Sequence, residues 1–70
     1  MITICVFRRT GNSPATGKKV TVITPTGTKS NFTDSRGRAD FELPSGKYKI
    51  SIDGRIVYDG SCVGATTVYI

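Results

Sequence analysis

Apolar residues in this chain recur at every second position in short runs, and each run is cut by Gly, Pro, Asn, Asp or Ser. A period of two places alternate side chains on opposite faces of a pleated strand, whereas a helix needs a period near 3.6. The residue types agree. Leu43 is the only leucine, alanine occurs only at Ala15, Ala39 and Ala65, and glutamine is absent. Val, Ile and Thr, which suit a sheet better than a helix, make up about a third of the chain. The pattern predicts an all-β protein, a seven-stranded antiparallel β-sandwich with no helix beyond a single turn.

Ile2 to Arg8 alternates Ile2, Ile4 and Val6 against Thr3, Cys5 and Phe7, and the isoleucine face is the one expected to be buried. The polar stretch Arg9 to Lys19 is long enough to cross between sheets instead of closing a tight hairpin. Val20 to Thr24 is stopped by Pro25, and Thr26-Gly27 turns the chain into Thr28 to Thr33, which carries Phe32. Asp34-Ser35-Arg36-Gly37 is a turn by composition, with Asp34 accepting a backbone hydrogen bond two residues on and Gly37 taking positive φ. Arg38 to Leu43 and Lys47 to Ile52 follow, separated by Pro44-Ser45-Gly46. Asp53-Gly54 is the strongest two-residue hairpin signal. Arg55 to Asp59 and Ala65 to Ile70 complete the seven, with Gly60 to Gly64 read as a loop that holds Cys62. No repeat or linker divides the 70 residues, so residues 1–70 read as one domain, either a small whole protein or a module of a larger one.

A chain of this size forms a thin core, which disfavours deep substrate cavities. It has no histidine, hence neither the commonest general base nor the commonest zinc ligand. No apolar stretch is long enough to span a bilayer, and the first residues lack the basic start and continuous apolar run expected of a signal peptide. The net charge of +5 favours anionic partners, but the cations form nothing longer than the pairs Arg8-Arg9 and Lys18-Lys19. Asp34 and Asp40 lack the dense acidic spacing of a calcium loop. Arg36 and Arg38 bracket Gly37 in a turn, where contact with phosphate competes with plain exposure. Cys5 and Cys62 leave two readings open, a disulfide closing most of the chain or two free thiols, and no general base is in view to activate Cys62.

The stretch Thr33-Asp34-Ser35-Arg36-Gly37, then the alternating Arg38 to Leu43, then Gly46-Lys47-Tyr48, resembles the signature of carboxypeptidase regulatory-domain-like and transthyretin-like (prealbumin-like) β-sandwiches. Upstream, Gly11 to Val22 resembles the family's Gly- and Pro-bearing crossover into a valine strand, so the likeness covers residues 2 to 52 well and the remainder loosely. The resemblance implies an Ig-like, Greek-key sandwich. Gly37 and Gly46 are then expected in conformations closed to other residues, and Phe41, Leu43, Tyr48 and Ile50 as paired core positions on adjacent strands. Tyr48 is expected to tie its hydroxyl to a loop backbone.

Transthyretin-like hydrolases of purine breakdown use histidines, and aromatic-ring dioxygenases sharing the sandwich bind iron through His and Tyr, so this histidine-free chain matches neither. A weaker resemblance, to collagen-adhesin B-type repeats through Leu43-Pro44-Ser45-Gly46-Lys47-Tyr48, implies a Lys-Asn isopeptide bond, but Ala65 to Ile70 supplies no Asn or Asp. In carboxypeptidases the resembling domain is a non-catalytic appendage, and resembling domains are often extracytoplasmic. The expectation is a module without catalytic residues, cofactor or metal that contacts a protein partner or its parent polypeptide. The alternative is a small basic binder of nucleic acid or another polyanion, and an enzyme of unknown type stands third. Strands Ile2 to Val6 and Thr66 to Ile70 lack the charge, Pro or brevity that guard sheet edges, so each is either paired internally or a docking edge, homotypic or heterotypic. Phe7 and Tyr69 are the expected outward aromatic contacts, with Arg8, Arg9, Arg36 and Arg38 as candidate cations at the partner surface.

Overall fold

The computed structural model describes residues 1–70. The chain forms seven strands and no helix: β1 (Ile2–Phe7), β2 (Lys19–Thr24), β3 (Gly27–Phe32), β4 (Arg38–Phe41), β5 (Gly46–Ile52), β6 (Arg55–Cys62) and β7 (Ala65–Tyr69). They build a three-stranded sheet, β4-β1-β7, and a four-stranded sheet, β3-β2-β5-β6. Both contribute to one cluster of twelve buried apolar residues, which includes Ile2, Ile4 and Val6 from β1, Val20 and Val22 from β2, Ile50 and Ile52 from β5, and Val68 from β7. Each fully buried aliphatic side chain contributes about 1.5–3 kcal/mol, and the alternation that leaves Thr3, Cys5 and Phe7 half-buried on the far face of β1 sets which ones qualify.

Local chemistry closes the turns. Asp53 and Gly54 both adopt positive φ, 50° and 88°, the two-residue geometry whose twist matches the strands of the β5–β6 hairpin. In the β3–β4 turn, Asp34 Oδ1 accepts from the N–H groups of Arg36 at 2.8 Å and Arg38 at 3.0 Å. These two backbone donors hold the Asp34 carboxyl below its ordinary pKa. Gly37, at φ 76°, sits where an added Cβ would stand 2.6 Å from the carbonyl oxygen of Val6, and its own carbonyl accepts the Val6 N–H at 2.7 Å. The Arg9 to Lys19 segment crosses between the sheets as expected. Buried Thr33 pins it, donating its hydroxyl to the Ala15 carbonyl at 2.6 Å and accepting the Lys18 N–H at 2.9 Å.

Several expectations are corrected. The sheets are not antiparallel throughout: β1 and β7 run parallel, from Thr3 opposite Ala65 to Phe7 opposite Tyr69. The cause is the short link Val63-Gly64, which crosses to the other sheet where β1 begins, so that Thr3 N–H donates to the Gly64 carbonyl and β7 runs beside β1 in the same sense. Phe41, Leu43, Tyr48 and Ile50 do not pair on adjacent strands. β4 ends at Phe41 and pairs with β1, β5 pairs with β2 and β6, and the Glu42 to Ser45 link changes layers between them. Phe41 and Ile50 are buried, whereas Leu43 and Tyr48 pack partly exposed against the core.

Gly46 lacks positive φ. What reserves its position is the Tyr48 ring, whose hydroxyl lies 3.3 Å from where a Cβ would stand and donates to the Pro44 carbonyl at 2.8 Å. Gly60 to Cys62 is not a loop but the end of β6, opposite Tyr48 to Gly46. Gly60 in turn gives room to Tyr58, whose hydroxyl donates to the Ser61 carbonyl at 2.6 Å.

Candidate functional site

The sheets leave four edge strands, β4, β7, β3 and β6. An unpaired edge offers backbone donors and acceptors to any extended chain, so what covers each edge decides where the molecule can be approached. Strand β4 has four residues, two of them charged. Its Arg38 N–H and carbonyl are both taken by Asp34, and its Asp40 carbonyl accepts from Asn31 Nδ2 at 3.1 Å. Strand β3 carries Lys29, and its Phe32 N–H donates to Asn31 Oδ1 at 2.9 Å. Strand β6 is bent by a bulge at Val57, between the pairs Ile50–Tyr58 and Ser51–Ile56, and bears Arg55 and Asp59.

Strand β7 has no such cover. It is Ala-Thr-Thr-Val-Tyr, without charge, Pro or bulge. The Gly64 carbonyl and the Ile70 N–H and carbonyl bond toward β1 and the residues after it. By the alternation of a strand, the backbone groups of Ala65, Thr67 and Tyr69 face the open side. Of the two strands that lacked guards in the sequence, β7 is thus an edge and β1 lies in the middle of its sheet. Val68 fills the core, and Tyr69 stands on the outer face, 46% exposed. Its ring packs against half-buried Phe7 with centroids 6.3 Å apart and planes at 42°, the tilted contact that aromatic quadrupoles favour.

A groove of about 560 Å³ opens at the end of β7, between that strand and the β5–β6 hairpin. Its apolar lining is Ile52, Ile56, Val57, Tyr69 and Ile70. Arg9 and Arg55 border it with Asp53. Asp53 is engaged elsewhere: its carboxylate lies 3.7 Å from Lys18 Nζ and accepts the Lys19 N–H at 3.2 Å. That is the only ion pair in the molecule, so neither arginine has a carboxylate within ion-pair distance.

The structure therefore brings together Phe7, Tyr69 and Arg9 of the residues singled out from sequence. Arg8 is exposed beside them, its N–H donating to the Ser13 carbonyl. Arg36 and Arg38 belong elsewhere, in the turn before β4 and at the first position of β4, across β1 from β7. The sequence reading missed Arg55, Ile56 and Val57. The Asp53-Gly54 turn signalled their hairpin, but nothing local indicated that its end borders β7.

Cys5 and Cys62 are free thiols. Cys5 lies on the outer face of β1 and Cys62 is fully buried, so the strand alternation holds them on opposite sides of a layer. Burial raises the Cys62 pKa, and its thiol donates only a long contact to the Gly60 carbonyl at 3.9 Å, which leaves a poor nucleophile at neutral pH. No group of three or more His, Cys, Asp or Glu is placed to hold a metal ion, and no helix is long and apolar enough to cross a membrane.

No protein-family model matches the chain, and no curated protein or solved structure matches it either. The class these observations define is a two-sheet, sandwich-like all-β protein with one unguarded edge.

Proposed function

We propose that this chain is a non-catalytic interaction module, a prealbumin-like, Ig-like sandwich of Greek-key type, that binds a protein partner or its parent polypeptide by accepting a strand on β7. The observation that carries the reading is the uncovered β7 edge: Ala65, Thr67 and Tyr69 offer unpartnered backbone groups on an uncharged strand, while β3, β4 and β6 are each covered, charged or bulged. Strand addition draws affinity from such main-chain bonds and selectivity from alternate side chains. The resemblance through Thr33-Asp34 to Gly37 and Gly46 to Tyr48 supports the fold half of the proposal, since Thr33, Asp34, Gly37, Gly46 and Tyr48 all act in turns or in the packing of the scaffold. Polyanion binding ranks behind it, because Arg36 and Arg38 stand at the opposite edge from Arg9 and no cation tract forms.

The test is selection of displayed ten-residue peptides on the native protein, followed by their binding to Thr67→Pro. Proline removes the outward N–H of Thr67 without touching a bond to β1, and edge strands accept it. Selected peptides are expected to lose at least tenfold in affinity to the variant, with the fold intact by circular dichroism. Peptides indifferent to Thr67→Pro, or a selection that enriches none, would overturn the docking edge.

A further inference from the structure

The groove at the end of β7 specifies more than a strand. Its lining is apolar apart from Arg9, Arg55 and Asp53, and neither arginine is in ion-pair contact with that one carboxylate, which Lys18 and the Lys19 N–H engage. A guanidinium offers several donors in a planar fork that suits a carboxylate, and beside an apolar surface such a contact gains over one in open water. β7 runs into this groove, since Tyr69 belongs both to the open edge and to the lining.

Resting on the docking-edge reading, we infer that β7 accepts an acidic strand: an extended peptide of a partner protein that pairs along Ala65, Thr67 and Tyr69 and sets an apolar side chain against Ile56 and Val57 with its neighbouring carboxylate on Arg9 and Arg55. Pairing of β7 with the β7 of a second copy does not supply the anion, because β7 contains no acidic residue. A nucleic acid would use the arginines but leave the five apolar lining side chains and the strand edge without a role.

The probe is the capped peptide Asp-Leu-Thr-Val-Thr-Val-Thr-Leu-Asp, which presents the same apolar-acidic end in either direction, compared with its counterpart bearing Asn at both ends. Titration into isotopically labelled protein is expected to shift the amides of Ala65, Thr67, Tyr69 and the Arg9 and Arg55 side chains, with the Asp peptide binding about tenfold tighter at low salt. In the Arg9→Gln, Arg55→Gln double variant, whose two sites are exposed, that preference should vanish while β7 still responds. Equal binding of both peptides to the native protein overturns the acidic strand and leaves the docking edge standing. Preference for Asp that survives the double variant, or displacement of the peptide from the arginines by an equimolar thymidine decanucleotide, also overturns it. Absence of any β7 response to either peptide removes the docking edge and this inference together.

Discussion

The side-chain amide of Asn31 donates to the carbonyl oxygen of Asp40 at 3.1 Å, tying edge strand β3 of one sheet to edge strand β4 of the other. Its oxygen meanwhile accepts the Phe32 N–H. One exposed residue thus covers two sheet edges on one side of the molecule, and the side that carries β7 has no equivalent. The asymmetry makes one edge available for strand addition and keeps the other from pairing indiscriminately.

Asn31→Ala should remove both bonds. The expected loss is about 0.5–1.5 kcal/mol, given their exposure. Amide exchange at Phe32 should accelerate while β2 and β5 remain protected. Unchanged exchange at Phe32 would mean that the Asn31 bonds do not hold this edge in solution.

Phe41 is 4% exposed and joins the buried cluster from the β4 edge, whereas neighbouring Glu42 points to solvent. Phe41→Ala should cost about 3–5 kcal/mol, comparable with the whole stability of a small domain. Glu42→Ala should cost under about 0.5 kcal/mol. Urea denaturation of the two variants checks the register of β4, since comparable losses would contradict it.

Gly37 and Gly46 should separate in their response to alanine. At Gly37 the positive φ and the Val6 carbonyl, 2.6 Å from an added Cβ, act together, and about 2 kcal/mol or more is expected to be lost. At Gly46 the backbone is ordinary and the obstacle is the far end of the Tyr48 side chain, so a loss under about 1 kcal/mol is expected as the ring shifts. Thermal melts of the two variants provide the comparison.

Asp34 makes stability depend on acid. Its folded pKa is lowered, chiefly by the Arg38 N–H and then by the Arg36 N–H, so the carboxylate supports the fold above the unfolded value and that support is lost as pH falls through the folded value. The gap in melting temperature between the native protein and Asp34→Asn should therefore be largest near neutrality and shrink below about pH 4. A gap independent of pH would assign the effect to something other than the charge.

Much of the local structure was legible in the sequence. The alternation of Ile2, Ile4 and Val6 named the buried face of β1, Asp53-Gly54 named a hairpin, and Asp34 and Gly37 named a turn. Each of these depends on residues within a few positions of one another, where side-chain period and backbone freedom decide the outcome. Tyr48 was legible for the same reason, since its hydroxyl reaches only to Pro44.

What the tertiary structure alone decided was which strands became neighbours. Phe41 and Ile50 belong to strands consecutive in sequence yet stand in different sheets, because the link between them crosses the core. Ile2 to Val6 and Thr66 to Ile70 look alike as unguarded strands, but β1 is enclosed on both sides while β7 keeps one side open. Arg9 and Arg55 border one groove from distant parts of the chain, whereas Arg36 and Arg38, no less basic, stand across β1. A period of two tells each residue which face it takes and is silent about which strand lies alongside, because pairing is a long-range choice made by the links that cross between layers and by the packing of one shared core.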